Sequence, residues 1–131
     1  MVRKPKDVTD AELAVMQVLW DQPSATIRGI TDVIYPAGSP SDYATVKKLL
    51  ARLEAKQLVL RDGNQMTHVF TAAISQDDLI DRRLQDVATD LCDGAHTPLV
   101  MNLLKNRQYS ASERKQLHDL FDELFGSESG K

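Results

Sequence analysis

Between residues 9 and 56 the apolar positions fall into three blocks with the three-and-four spacing of helices, separated by turn-forming residues. Thr9-Asp10-Ala11-Glu12 has the form of a capping box, in which a Thr hydroxyl and a Glu carboxylate satisfy free amides at a helix start. The pattern predicts a helix from there to about Trp20, with Leu13, Met16 and Trp20 on one face and Val15 and Leu19 beside it, so that more than one side is buried. Asp21-Gln22-Pro23 ends it. Ser24-Ala25-Thr26 offers a second cap before a short helix from Ile27 to about Ile34, which Tyr35-Pro36-Ala37-Gly38-Ser39-Pro40 closes. Ser41 is then expected to cap a third helix reaching about Lys56. Its inward stripe is Val46, Leu49, Leu50 and Leu53, while Ser41, Ala44, Lys48, Ala51 and Arg52 turn the other way.

The period changes after Lys56. Leu58-Val59-Leu60-Arg61, a turn at Asp62-Gly63-Asn64-Gln65, and Met66-Thr67-His68-Val69-Phe70-Thr71 read as a β-hairpin around a Gly-containing turn. Three helices followed by a hairpin is the winged-helix order, although periodicity alone also describes an unrelated α+β domain. The rest of the chain is helical in pattern. Ser75-Gln76-Asp77-Asp78 starts a helix with Ile80, Leu84, Val87 and Leu91 on one stripe, stopped at Asp93-Gly94. A short helix follows around Pro98 to Asn106. Ser110-Ala111-Ser112-Glu113 opens a last one, with Leu117, Leu120, Phe121, Leu124 and Phe125 inward and a frayed tail from Gly126. Three short amphipathic helices bury little among themselves, which predicts a second copy of the chain covering their apolar faces. The expected organisation is mainly α: a winged-helix domain over residues 1–74 and a helical dimerisation domain over 75–131. Leu84, Leu91, Leu117, Leu120 and Phe121 are its dimer or core candidates.

Composition narrows the class. The chain has 131 residues with 42% apolar and 5% aromatic content, enough for a core built mostly of aliphatic residues. No apolar run approaches the roughly 20 residues of a membrane span, and the basic start Met1–Lys6 leads into no apolar signal region, so a cytoplasmic protein without membrane insertion is expected. The one cysteine, Cys92, cannot form an internal disulfide, in keeping with a reducing compartment, and reads as a buried helix residue. His68, His96 and His118 are far apart, and no catalytic or phosphate-loop motif occurs. Neither an enzyme, a metal site nor a cofactor is expected. The net charge of −3 is uneven: Lys and Arg number nine against eight Asp and Glu in residues 1–74, and seven against eleven in 75–131. An acidic second half is compatible with nucleic-acid binding when cations are placed locally.

The third helix carries the sharpest chemical signal. A helix fits the major groove when its outer face is small near the N-terminus, so that backbone can approach, and carries Lys or Arg further along for guanine edges or phosphates. Ser41, Tyr43, Ala44, Thr45, Lys47, Lys48 and Arg52 meet that description, with Arg28 on the preceding helix. Arg61 and His68 in the hairpin could reach flanking phosphates, though strand cations also serve as edge protection. The bland alternative is a solvated face on a surface helix. The negative charge keeps open a winged-helix module that binds protein and not DNA.

Val8-Thr9-Asp10-Ala11-Glu12-Leu13 with Val18-Leu19-Trp20, Tyr43-Ala44-Thr45-Val46-Lys47-Lys48-Leu49-Leu50-Ala51-Arg52-Leu53, and Val69-Phe70-Thr71 together resemble the penicillinase (beta-lactamase) repressor family, BlaI/MecI type, over about residues 7–125. The resemblance implies a homodimeric transcriptional repressor of palindromic operator DNA, relieved by proteolysis after a membrane sensor metalloprotease responds to a beta-lactam. It also implies a cut after an Asn in the C-terminal domain; the matching bond here is Asn102-Leu103, with Leu where the family usually has Phe. Two further departures stand out. Gln57 occupies a position where the family usually has Gly, at a helix exit that demands positive φ, and Lys48 replaces a common Thr. The Cys-rich C-terminal metal site of copper-responsive relatives has no counterpart here.

Overall fold

A computed structural model of the chain describes residues 8–63 and 68–126. The basic start Met1–Lys6, Asn64 and Gln65 of the expected hairpin turn, Met66 and Thr67 of its expected second strand, and the tail after Gly126 lie outside them. The chain forms α1 (Asp10–Asp21), β1 (Ala25–Thr26), α2 (Ile27–Ile34), α3 (Pro40–Ala55), β2 (Val59–Asp62), β3 (Val69–Ala72), α4 (Gln76–Leu91), α5 (Thr97–Lys105) and α6 (Ala111–Phe125). It divides into two compact units, Met1–Arg82 and Arg83–Lys131, the division falling inside α4.

The first unit has the winged-helix arrangement. Thr9 and Glu12 form the expected capping box at α1. Thr26 caps α2 by accepting from the Gly29 amide. The start of α3 differs from expectation: Ser39, not Ser41, is the N-cap, accepting from the Asp42 amide while the Asp42 carboxylate accepts from the Ser39 amide. Pro40 explains the shift, because its fixed φ and missing N–H suit the first helical position, where that donor would be unbonded anyway. A second difference is β1. Ala25 and Thr26 pair with Phe70 and Val69, so the wing hairpin is the larger part of a three-stranded antiparallel sheet ordered β1-β3-β2. In the hairpin itself Val59 to Asp62 pair with Ala72 to Val69.

The core gathers Val15, Met16 and Leu19 from α1, Ile30 from α2, Val46, Leu49, Leu50 and Leu53 from α3, and Leu58, Val59, Phe70 and Leu79. Trp20 is half-buried against it and donates its indole N–H to the Ile74 carbonyl at 2.8 Å. At the exit of α3 Gln57 has φ +66°, the left-handed conformation expected of that position, and the backbone closes with Gln57 N–H on the Glu54 carbonyl and Leu58 N–H on the Leu53 carbonyl. The exit is therefore built to the glycine pattern with a side chain in place.

The second unit is different in kind. Ala88 is buried, yet α5 and α6 contribute no buried residue. Ser110 and Glu113 cap α6 as expected. Cys92 is a correction: it lies just past the end of α4 and is half-buried, because Asp93 and Gly94, both at positive φ, turn the chain directly after it.

Candidate nucleic-acid interface

The heptad-like stripe of α3 decides which of its side chains are available. Val46, Leu49, Leu50 and Leu53 are buried, and by helical geometry Ser41, Ala44, Thr45, Lys47, Lys48, Ala51 and Arg52 lie on the exposed side, where the structure places them. The Thr45 hydroxyl donates back to the Ser41 carbonyl at 3.0 Å. Its proton is committed to the helix, so toward a ligand Thr45 offers an acceptor oxygen and a methyl group. Tyr43 is half-buried, and the Arg28 guanidinium of α2 sits 5.5 Å from its ring centre, joining the two helices of the helix-turn-helix.

The wing cations are placed differently. Arg61 on β2 pairs with Glu54 of α3 at 3.3 Å, and both are well exposed. This pair is weak and easily exchanged for another anion. His68 is exposed just before β3, with Nδ1 3.4 Å from the Asp62 carbonyl.

An ion pair beneath α3 carried no sequence signal, since its members are 44 residues apart. Lys56, the C-cap of α3, donates to Glu12 Oε1 at 2.6 Å; Glu12 is only 1% exposed. The same oxygen accepts the Thr9 amide at 3.0 Å. Burial alone would raise the Glu12 pKa, but the Lys56 hydrogen bond and charge together with Thr9 outweigh it, and the carboxyl is held below its ordinary value.

The dimer candidates all lie open in the single chain: Leu84, Leu91, Leu117, Leu120 and Phe121 are between 38% and 79% exposed. Ile80, Val87, Leu124 and Phe125 are exposed too, and the Phe121 and Phe125 rings meet tilted by 55° with centres 4.9 Å apart. Asn102 and Leu103 sit within α5. The Asn102 carbonyl accepts the Asn106 amide, its side chain accepts from Arg107, and the Tyr109 hydroxyl donates to the Leu103 carbonyl. Among the described residues no cluster of three or more His, Cys, Asp or Glu could hold a metal, and no helix is long and apolar enough to cross a membrane.

A penicillinase repressor of Staphylococcus aureus is 25% identical over 124 residues, covering 95% of this chain and 98% of the relative. One of Bacillus licheniformis is 27% identical over 124 residues, covering 93% and 94%. These relatives are repressors and not enzymes. A solution structure of the DNA-binding domain of the repressor BlaI aligns with a TM-score of 0.47 at 25% identity, over 59% of this chain and 93% of that one. The sequence model of the penicillinase repressor matches residues 8–123, and the chain belongs to that family.

Proposed function

We propose that the chain is a cytoplasmic, homodimeric transcriptional repressor that inserts α3 into the major groove of palindromic operator DNA. The observation that carries this reading is the division of α3: a fully buried aliphatic stripe, and opposite it an exposed face that is small at Ser41 and Ala44 and cationic at Lys47, Lys48 and Arg52. Lys48 and Arg52 read base edges or phosphates, Thr45 and Tyr43 with Arg28 set the helix on the backbone, and Arg61 and His68 serve flanking phosphates. Residues 75–131 pair the two chains through the exposed faces of α4, α5 and α6, so that two half-sites are held at once. The signal is a cell-wall or beta-lactam-type stress passed on by a membrane sensor metalloprotease, which cuts Asn102-Leu103, removes α6 and dissolves the dimer.

A gel shift with DNA from upstream of the protein's own gene, at two salt concentrations, tests the first part. Binding that weakens with salt, and loss of about 1–3 kcal/mol of sequence-specific affinity in Arg52→Ala, are expected. The net charge of −3 favours the rival, a protein-binding winged helix. Absence of any shift supports it, whereas binding with affinity unchanged in both Lys48→Ala and Arg52→Ala would refute the assignment of α3 as the reading helix. Mass spectrometry of the protein from cells exposed to a cell-wall antibiotic tests the second part, with fragment ends at Asn102 and Leu103 expected; release of DNA by an intact chain would refute it.

A further inference from the structure

The Glu12–Lys56 pair stands at a junction. Lys56 ends α3, Gln57 reverses the chain in the left-handed conformation, Leu58 is fully buried, and β2 begins at Val59. One residue thus separates the lysine from the buried anchor that leads into the wing. Glu12 belongs to the first turn of α1 and is held there by Thr9, whose amide donates to Oε1 and whose hydroxyl accepts the Glu12 amide. The two charges therefore fasten the end of the recognition helix to the start of a different helix, with a contact of 2.6 Å.

Resting on the DNA-binding reading above, we propose that Glu12 and Lys56 are positioning residues for DNA recognition: together they fix the angle at which α3 passes into the wing, and Lys56 is not itself a phosphate contact. Two observations support this. First, Glu12 Oε2 is buried and finds no hydrogen-bond donor among the described residues. Desolvating this carboxylate opposes what Lys56 and Thr9 supply and, as in such buried pairs generally, offsets much of the attraction. What the pair supplies is then geometry more than stability. An aliphatic contact would tolerate sliding, whereas a charge-assisted hydrogen bond holds one distance. Second, the Lys56 ammonium is turned inward, its side chain 18% exposed. Reaching a phosphate would leave Glu12 buried without its counter-charge, a heavy cost that Lys47, Lys48 and Arg52 on the open face do not face.

The test uses the full chain and the double variant Glu12→Gln/Lys56→Met. Gln keeps the acceptor for the Thr9 amide, and neither new side chain leaves a buried charge unpaired, so the variant is expected to melt within about 5 °C of the wild type. Despite this it should bind upstream DNA about tenfold more weakly, with the same dependence of log affinity on log salt. In the free protein the amides of β2 should exchange with solvent several-fold faster. A loss of about 0.9 per protomer in the salt slope would instead make Lys56 a phosphate contact and overturn the proposal. Wild-type affinity and wild-type β2 exchange in the folded variant would overturn it too, as would a variant that fails to fold, since the pair would then be a stability element. If the wild type itself does not bind DNA, the repressor reading fails; the β2 exchange rates, measured without DNA, still report on the brace.

Discussion

Gln57 offers the cleanest energetic test of the fold. At φ +66° its Cβ crowds the neighbouring carbonyl, which costs an L-residue roughly 1–2 kcal/mol relative to right-handed backbone. Its side chain is exposed, and the turn closes through backbone bonds at 3.0 Å and 2.9 Å that any residue can make. Gln57→Gly removes the crowding without removing a contact. Against this, glycine gives the unfolded chain extra freedom worth about 0.4–1 kcal/mol. The difference leaves a net stabilisation of about 0.5–1 kcal/mol, or a rise of a few degrees in the melting point of a domain of this size. Trp20 is the single tryptophan and is bonded to Ile74 within the first unit, so its fluorescence reports the unfolding of this unit alone. Gln57→Val provides the opposite arm, because a β-branched residue is a poor fit to positive φ and should melt below the wild type. A glycine variant no more stable than the wild type, or a valine variant equal to it, would refute the reasoning.

Three other outcomes follow from the same geometry. Since the folded-state pKa of Glu12 is depressed, its contribution to stability is complete above the ordinary carboxylate range and is lost as pH falls through the lower folded value; acid unfolding followed by Trp20 fluorescence should be shallower in Glu12→Gln. Ser39→Ala deletes the cap of α3 and should cost about 1 kcal/mol in urea melts, whereas Ser41→Ala, one residue inside the helix, should cost far less. Phe121→Glu, at a site 61% exposed in the single chain, should leave α6 helical by circular dichroism but shift sedimentation from dimer to monomer; an unchanged dimer would remove Phe121 from the interface.

Local chemistry was legible wherever it acts within a few residues. The bounds of α2 follow from the Thr26 cap and the Tyr35-Pro36 stop, and the buried stripe of α3 follows from its 3.6-residue period. The requirement for positive φ at Gln57 was legible through the family's usual glycine. One error came from ranking local signals wrongly. Ser41 looked like the cap because Pro40 was read as part of the break, although a proline is at home in the first turn. Ala25 and Thr26 are too short a strand to alternate, so only the partner strand β3 defines them. The Glu12–Lys56 pair was beyond reach because nothing local links two residues 44 positions apart. Which stripe of α4, α5 and α6 would meet another chain in the proposed dimer is equally nonlocal, since the single chain leaves Leu84, Leu91, Leu117 and Leu120 open alike.

The net charge of −3 turns out to be a poor guide to the interface because the cations of the first unit are not equivalent. Lys56 is spent on Glu12 beneath the helix, and Arg61 is shared with Glu54 on its surface. Among the described residues Lys47, Lys48 and Arg52 make no ion pair, and they fall within two turns of one exposed face. A phosphate backbone responds to such a local group over about a Debye length, roughly 8 Å at physiological salt, and hardly to acidic residues further away. On the proposed reading, the exposed apolar faces of α4, α5 and α6 supply what a single winged helix lacks, a second reading head held at fixed spacing. A negative protein is thus physically consistent with DNA recognition, provided that the cations are concentrated on α3 and the affinity comes from pairing two such helices.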